Sequence, residues 1–81
     1  MALADHAEKL AEYRARLEAG RADRIEPAHV ERVIAKLEAK RVTLGDRLAA
    51  ASAASERERL QRKLATAEVL IEQAHWLREQ L

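Results

Sequence analysis

The chain has 81 residues and a formal net charge of +1, with 36% charged residues and 2% aromatic residues. A net charge so close to zero excludes a strong overall attraction to nucleic acid or anionic lipid. The lack of cysteine excludes disulfide bonds and thiolate metal sites, and it makes the cytoplasm the expected location. The abundance of Ala, Leu, Glu, Lys and Arg is typical of long helices, and a GC-rich bacterial genome tends to encode such a composition.

No segment of the sequence is suited to secretion or to membrane insertion. The opening residues, MALADHAEKL, carry charges where a signal peptide needs an apolar run. A run of about 18 uninterrupted apolar residues, as a spanning helix requires, does not occur. We therefore expect a single helical domain over residues 1–81. Its core should be narrow, because the chain contains no Phe, one Trp and one Tyr.

The first predicted helix covers about residues 3–19. Its apolar stripe has helical spacing and consists of Leu3, His6, Leu10, Tyr13 and Leu17. Gly20 follows, and glycine commonly ends a helix in the left-handed conformation. A polar connection over residues 21–26 should then lead to the second helix.

The second predicted helix covers about residues 27–51. Pro27 suits the first helical position, and Ile25 can pack on Val30 as a hydrophobic staple. Alternating steps of four and three residues define a seam that consists of Val30, Ile34, Leu37, Arg41, Leu44, Leu48 and Ala51. Because Arg41 has a long side chain, we expect it to reach the edge of this seam.

The third predicted helix covers about residues 55–81. Its seam consists of Leu60, Leu64, Ala67, Ile71, Ala74, Arg78 and Leu81. Ser55 lies three residues before Glu58, which is the capping-box spacing, and Ser52 offers a competing start. Because the break between the two long helices is short, they should run antiparallel. The sequence thus predicts an all-α fold, a coiled-coil hairpin that the N-terminal helix completes as a three-helix bundle.

Four apolar residues outside these seams form a candidate interface. Ala65, Val69 and Trp76 share the outer face of the third helix, and Val42 lies away from the seam of the second helix. Val42 is accompanied there by Ala28, Ala35, Ala39 and Ala49. A three-helix monomer would leave Val42 and Trp76 largely in water, which is unfavourable for a Trp. We therefore expect a homodimer or other self-association, or a protein partner, to cover them.

A second candidate surface is basic. It consists of Arg32, Lys36, Lys40 and Arg47 on the second helix and Arg59 and Arg62 on the third. A dimerising hairpin that contacts RNA through one helix face is similar in outline to the RNA-binding hairpin proteins that control plasmid copy number. This similarity is one of architecture only. Glu31, Glu38 and Asp46 on the opposite flank of the second helix favour a solvated, salt-bridged surface over nucleic-acid binding.

Few residues of the sequence are candidates for metal binding or catalysis. Glu26 with His29, and Glu72 with His75, have the Glu-x-x-His spacing of di-metal bundles, but neither pair faces a seam, so we expect no metal or other cofactor. His6 is expected to be solvated or half-buried. Because the sequence contains no glycine-rich loop, nucleophile motif or paired carboxylates, we expect a protein that is not an enzyme. It should act through protein-protein association as a homo-oligomer, an adaptor or a regulatory subunit.

Overall fold

The computed structural model describes residues 2–81, which form three α-helices. These are α1 (Leu3–Glu18), α2 (Pro27–Ala50) and α3 (Ala54–Glu79), with a turn of 3₁₀-helix at Ala22–Arg24. The predicted bundle is confirmed: α2 and α3 pack most closely, as a hairpin, within a molecule of 47 × 18 × 18 Å. In this part of the chain, no helix combines the length and apolar character needed to cross a membrane.

The core is divided into two clusters along the hairpin. The larger cluster contains Leu10, Tyr13, Ile25, Val30, Val33, Ile34, Leu37, Leu70, Ile71, Ala74 and Leu77. The smaller cluster lies toward the α2–α3 turn and contains Leu44, Leu60 and Ala67, and Leu3 of α1 contacts both clusters. Because α1 has 16 residues and α2 has 24, α1 covers only part of the hairpin. The remainder, near the turn, is a two-helix arm.

Gly20 ends α1 as the sequence predicts. Its φ of 74° is left-handed, a conformation that glycine adopts without a steric penalty. The N–H groups of Gly20 and Arg21 donate to the carbonyl oxygens of Leu17 and Arg16 at 3.1 and 2.8 Å, the hydrogen-bond pattern of a Schellman motif. Beyond this motif, Ile25 is buried in the larger cluster as the predicted staple requires. The chain is thereby turned toward the start of α2.

Two polar contacts between side chains join α2 to α3 outside the apolar core. Arg78 Nε lies 3.0 Å from Glu31 Oε1, and His75 Nε2 lies 3.5 Å from Glu38 Oε1. Arg78 therefore reaches out of its seam position to an acidic residue of the neighbouring helix, while Arg41 is exposed to solvent. Neither arginine side chain is therefore part of the core.

The predicted capping box at Ser55 is wrong. The helix begins at Ala54, its N-cap residue is Ala53, and no side chain forms a cap hydrogen bond there. Ser52 lies in the connection, and Ser55 lies inside the first turn of α3. The connection is held by Arg57 instead, because its guanidinium donates to two carbonyl oxygens near the end of α2. A contact between the two long helices is therefore found where the sequence predicted a side-chain cap.

Candidate interaction surfaces

The outer face of α3 carries three exposed apolar residues, Ala65, Val69 and Trp76, which we name the α3 row. Intervals of four and seven residues keep them on one side of the helix. Val69 is 52% exposed and Trp76 is 43% exposed. The other side of α3 supplies the core with Leu60, Ala67, Leu70, Ile71, Ala74 and Leu77. The α3 row is therefore apolar surface that the core does not use.

Trp76 lies beside α1. The guanidinium carbon of Arg14 is 5.2 Å from the centroid of the indole ring, within the range of a cation–π interaction. The ring also lines a shallow groove between α1 and α3, together with Ala7, Leu10, Ala11, Arg14, Gln73 and Leu77. Helical periodicity alone did not predict this contact, because it does not locate α1 relative to α3. Arg14 covers part of the indole, and the rest is accessible to another molecule.

Val42 belongs to a different surface. It is 60% exposed and shares the outer side of α2 with Ala28, Ala35, Ala39 and Ala49, all exposed, which together we name the α2 face. The seams of α2 and α3 face each other, so the outer sides of these helices point away from each other. The four residues predicted as one interface therefore form two surfaces.

The six predicted basic residues lie on one side of the hairpin. Lys36 and Lys40 line a groove with His6 of α1, and helical periodicity places Arg32 and Arg47 on the same flank of α2. On α3, Arg59 and Arg62 share the side of Gln73 and Leu77, which also faces α1. Among residues 2–81, none of the six forms an ion pair. We name this side the basic flank.

His6 is buried between α1 and α2, so the expectation of a solvated or half-buried side chain is wrong. It is 2% exposed, and its Nδ1 atom has no hydrogen-bond partner within the described residues. Burial lowers the pKa of His6 below 6.5, and the positive charges of the amino terminus, Lys36 and Lys40 lower it further, while Asp5 opposes them. Burial and the neighbouring positive charges thus disfavour protonation of the imidazole. Its position in the apolar stripe of α1 was the signal for burial.

The two Glu-x-x-His pairs lie on the surface. Glu26, His29, Glu72 and His75 are all exposed, and His75 contacts Glu38 of α2. Across residues 2–81, no three His, Cys, Asp or Glu side chains lie close enough together to hold a metal ion. These residues contribute to the solvated surface, and His75 also joins the two long helices.

Comparisons with known proteins yield no match for this chain. No family model matches it, and neither does any curated protein or any solved structure. A functional conclusion therefore has to come from the α3 row, the α2 face and the basic flank.

Proposed function

We propose that this protein is a cytoplasmic, non-enzymatic association module that binds another protein chain through the α3 row. The observation that supports the proposal is Trp76, the one Trp of the sequence, which is 43% exposed although a packed core lies beside it. Trp and Arg contribute more than other residues to binding at protein interfaces. Trp76, Arg14 and Val69 offer a partner an indole ring, a guanidinium and an aliphatic side chain.

The shape of the molecule supports association rather than catalysis. Small-molecule sites are concave and enclose most of the ligand surface. A bundle 18 Å across, whose interior is filled by aliphatic side chains together with Tyr13 and His6, has little depth for such a site. A helix face, in contrast, is a common recognition surface that needs no cavity.

The experiment is sedimentation equilibrium over a wide concentration range, combined with capture of binding proteins from an extract of the native host. The informative variant is Trp76→Glu, which places a charge at the centre of the proposed contact. Thr66→Glu is the matched control, because Thr66 is exposed on the same helix and lies about 80° around it from Trp76. We expect Trp76→Glu to weaken association at least about tenfold, as loss of an interface Trp commonly does, and Thr66→Glu to leave it unchanged.

Two outcomes would contradict binding through the α3 row. If Trp76→Glu keeps the helical circular dichroism of the wild type together with all of its self-association and all of its captured proteins, the α3 row is not the binding surface. The same holds if both variants weaken association equally, because the effect would then come from the added negative charge alone.

A second candidate function is nucleic-acid binding, favoured by the basic flank. Its six cations lie on one side of the hairpin, and the described residues give none of them an ion-pair partner. In contrast, Glu31 and Glu38 on the opposite flank of α2 contact residues of α3. Phosphate binding by such a row should weaken steeply with salt, because each contact releases counterions.

A gel-shift titration with RNA and with DNA at several salt concentrations tests this second function. Arg59→Gln with Arg62→Gln should lower the affinity and reduce the salt slope by about 2, one for each lost contact. Arg24→Gln with Arg41→Gln is the control pair, since both arginines are exposed and lie outside the basic flank. If the wild type shifts neither nucleic acid at low salt, this candidate function is wrong.

A further inference from the structure

The α2 face has a charge pattern that is symmetric about its centre. Arg32 borders the basic flank and Asp46 borders the opposite, acidic flank, but each lies only about 20° around the helix from Ala39, so both exposed side chains also border the α2 face. Each is seven residues from Ala39, one before it and one after it. Neither forms an ion pair among residues 2–81. Two unpaired, opposite charges therefore lie at equal distances from one alanine.

This pattern is self-complementary in one orientation. A two-fold axis through Ala39, perpendicular to α2, places Arg32 of each copy opposite Asp46 of the other copy. The same axis brings Ala28 to within one residue of the position opposite Ala49, and Ala35 to within one residue of the position opposite Val42. A parallel arrangement would instead place Arg32 opposite Arg32 and Asp46 opposite Asp46, which is repulsive. Charge complementarity thus selects an antiparallel pair with an isologous interface.

The flanks of α2 are compatible with this pairing. Glu38 lies beside the axis, so the Glu38 residues of the two copies would come close to each other. However, the carboxylate of Glu38 is directed toward α3, where one of its oxygens lies 3.5 Å from His75. Alanines at the contact positions allow two helices to approach closely, because the interaxial distance depends on side-chain size. Val42, 60% exposed in the single chain, would then be covered.

We propose that the α2 face binds the α2 face of a second copy of this chain, antiparallel, with the two-fold axis at Ala39 and reciprocal Arg32–Asp46 ion pairs. This inference goes beyond the proposed function, because it assigns a second binding surface and names a second copy of this chain as its occupant. The pairing leaves the α3 row of each copy accessible, since that row points away from the α2 face.

A charge-exchange series measured by sedimentation equilibrium tests the pairing. We expect Arg32→Asp alone and Asp46→Arg alone each to weaken the dimer at least about tenfold, because like charges then face each other. The double variant should recover the wild-type affinity to within about threefold. These changes place an acid near the start of α2 and a base near its end, where each favours the helix dipole, so folding is preserved. Arg47→Asp, outside the face, is the control.

Single cysteines test the orientation, since the natural chain contains none. In the proposed dimer, Ala39→Cys should form a disulfide across the axis, whereas two copies of Ala28→Cys lie about 33 Å apart along the helices and should not. A parallel pair would cross-link at both positions.

A monomeric wild type, cross-linking at residue 28 or a double variant that is not restored would overturn this inference. The α3-row proposal would remain open to its own test with Trp76→Glu, so the two failures are distinguishable. Conversely, if the dimer affinity follows the charge-exchange series and is unchanged by Trp76→Glu, that result supports the α2 pairing and counts against self-association through the α3 row.

Discussion

Arg57 of α3 donates a hydrogen bond from its guanidinium Nη1 to the carbonyl oxygen of Leu48 in α2, at 2.9 Å. The same nitrogen lies 3.0 Å from the carbonyl oxygen of Ala51. The last carbonyl groups of a helix have no partner within the helix, and a buried one is costly to leave unpaired. One side chain of the second helix of the hairpin therefore completes the end of the first.

Replacing Arg57 with Met should destabilise the protein by about 1.5 kcal/mol, since hydrogen bonds that involve a charged donor contribute about this much. Urea unfolding followed by circular dichroism measures the change. Arg59→Met, two residues further along the same helix and exposed, is the control and should have little effect. Equal losses in the two variants would show that the bonds of Arg57 do not stabilise the turn.

The two glycines should respond oppositely to Ala. Gly45 lies inside α2, and a Cβ atom added there meets nothing within 4 Å, so Gly45→Ala should stabilise the protein by about 1 kcal/mol through helix propensity. Gly20 has a φ of 74°, so Gly20→Ala should destabilise it by about 1 kcal/mol. Thermal unfolding of both variants tests the pair. A loss of stability in Gly45→Ala would mean that another helix approaches α2 closely at that position.

Acidification should weaken the folded protein through His6. The unfolded chain binds a proton near the ordinary pKa of 6.5, whereas the folded chain has a lowered pKa at His6. The stabilisation is therefore complete above pH 6.5 and is lost as the pH falls toward the folded pKa, because the unfolded state then binds more protons. The urea concentration at the midpoint of unfolding should therefore decrease as the pH is lowered from 7.5 to 5.5.

The variant His6→Leu removes this titration and should show a flatter pH profile than the wild type over the same range. His29→Leu is the control, because it removes an exposed imidazole that forms no ion pair among residues 2–81. A wild-type slope that persists in His6→Leu would assign the pH dependence to other groups.

Replacing Arg78 should change the free energy of unfolding only slightly, although this residue occupies a seam position. Its contact with Glu31 joins side chains that are 41% and 57% exposed, and such ion pairs contribute only about 0–1 kcal/mol. Arg78→Met should therefore change the free energy of unfolding by less than about 1 kcal/mol. Leu77→Ala, at a neighbouring position that is 2% exposed, should cost about 3 kcal/mol. A cost for Arg78→Met as large as that for Leu77→Ala would contradict this account.

Helical periodicity predicted the architecture because the repeating apolar residues pack as the spacing requires. Val30, Leu37 and Leu44 are buried where the seam places them, and Ala67 and Ala74 are buried opposite. These positions depend only on the direction of each side chain around its own helix. The three helices and their antiparallel hairpin could therefore be derived from spacing and short connections.

Features that depend on a second helix could not be derived in this way. Ser55 has the spacing of a cap, yet Arg57 holds the connection, and this contact depends on where α2 ends relative to α3. The burial of His6 and the contact of Arg14 with Trp76 depend on where α1 lies. The candidate interface, in contrast, was predicted residue by residue, and the packed hairpin places Val42 and Trp76 on separate exposed surfaces.

The separation of the α2 face from the α3 row determines how many partners one molecule can bind at the same time. Val42 and Trp76 lie on separate surfaces, so a partner that occupies one leaves the other available. If the α2 faces pair, the resulting dimer presents two α3 rows at a fixed spacing, and a partner with two binding segments gains effective concentration at its second contact. If both surfaces bind further copies, no closed ring limits the assembly, and its length grows with protein concentration.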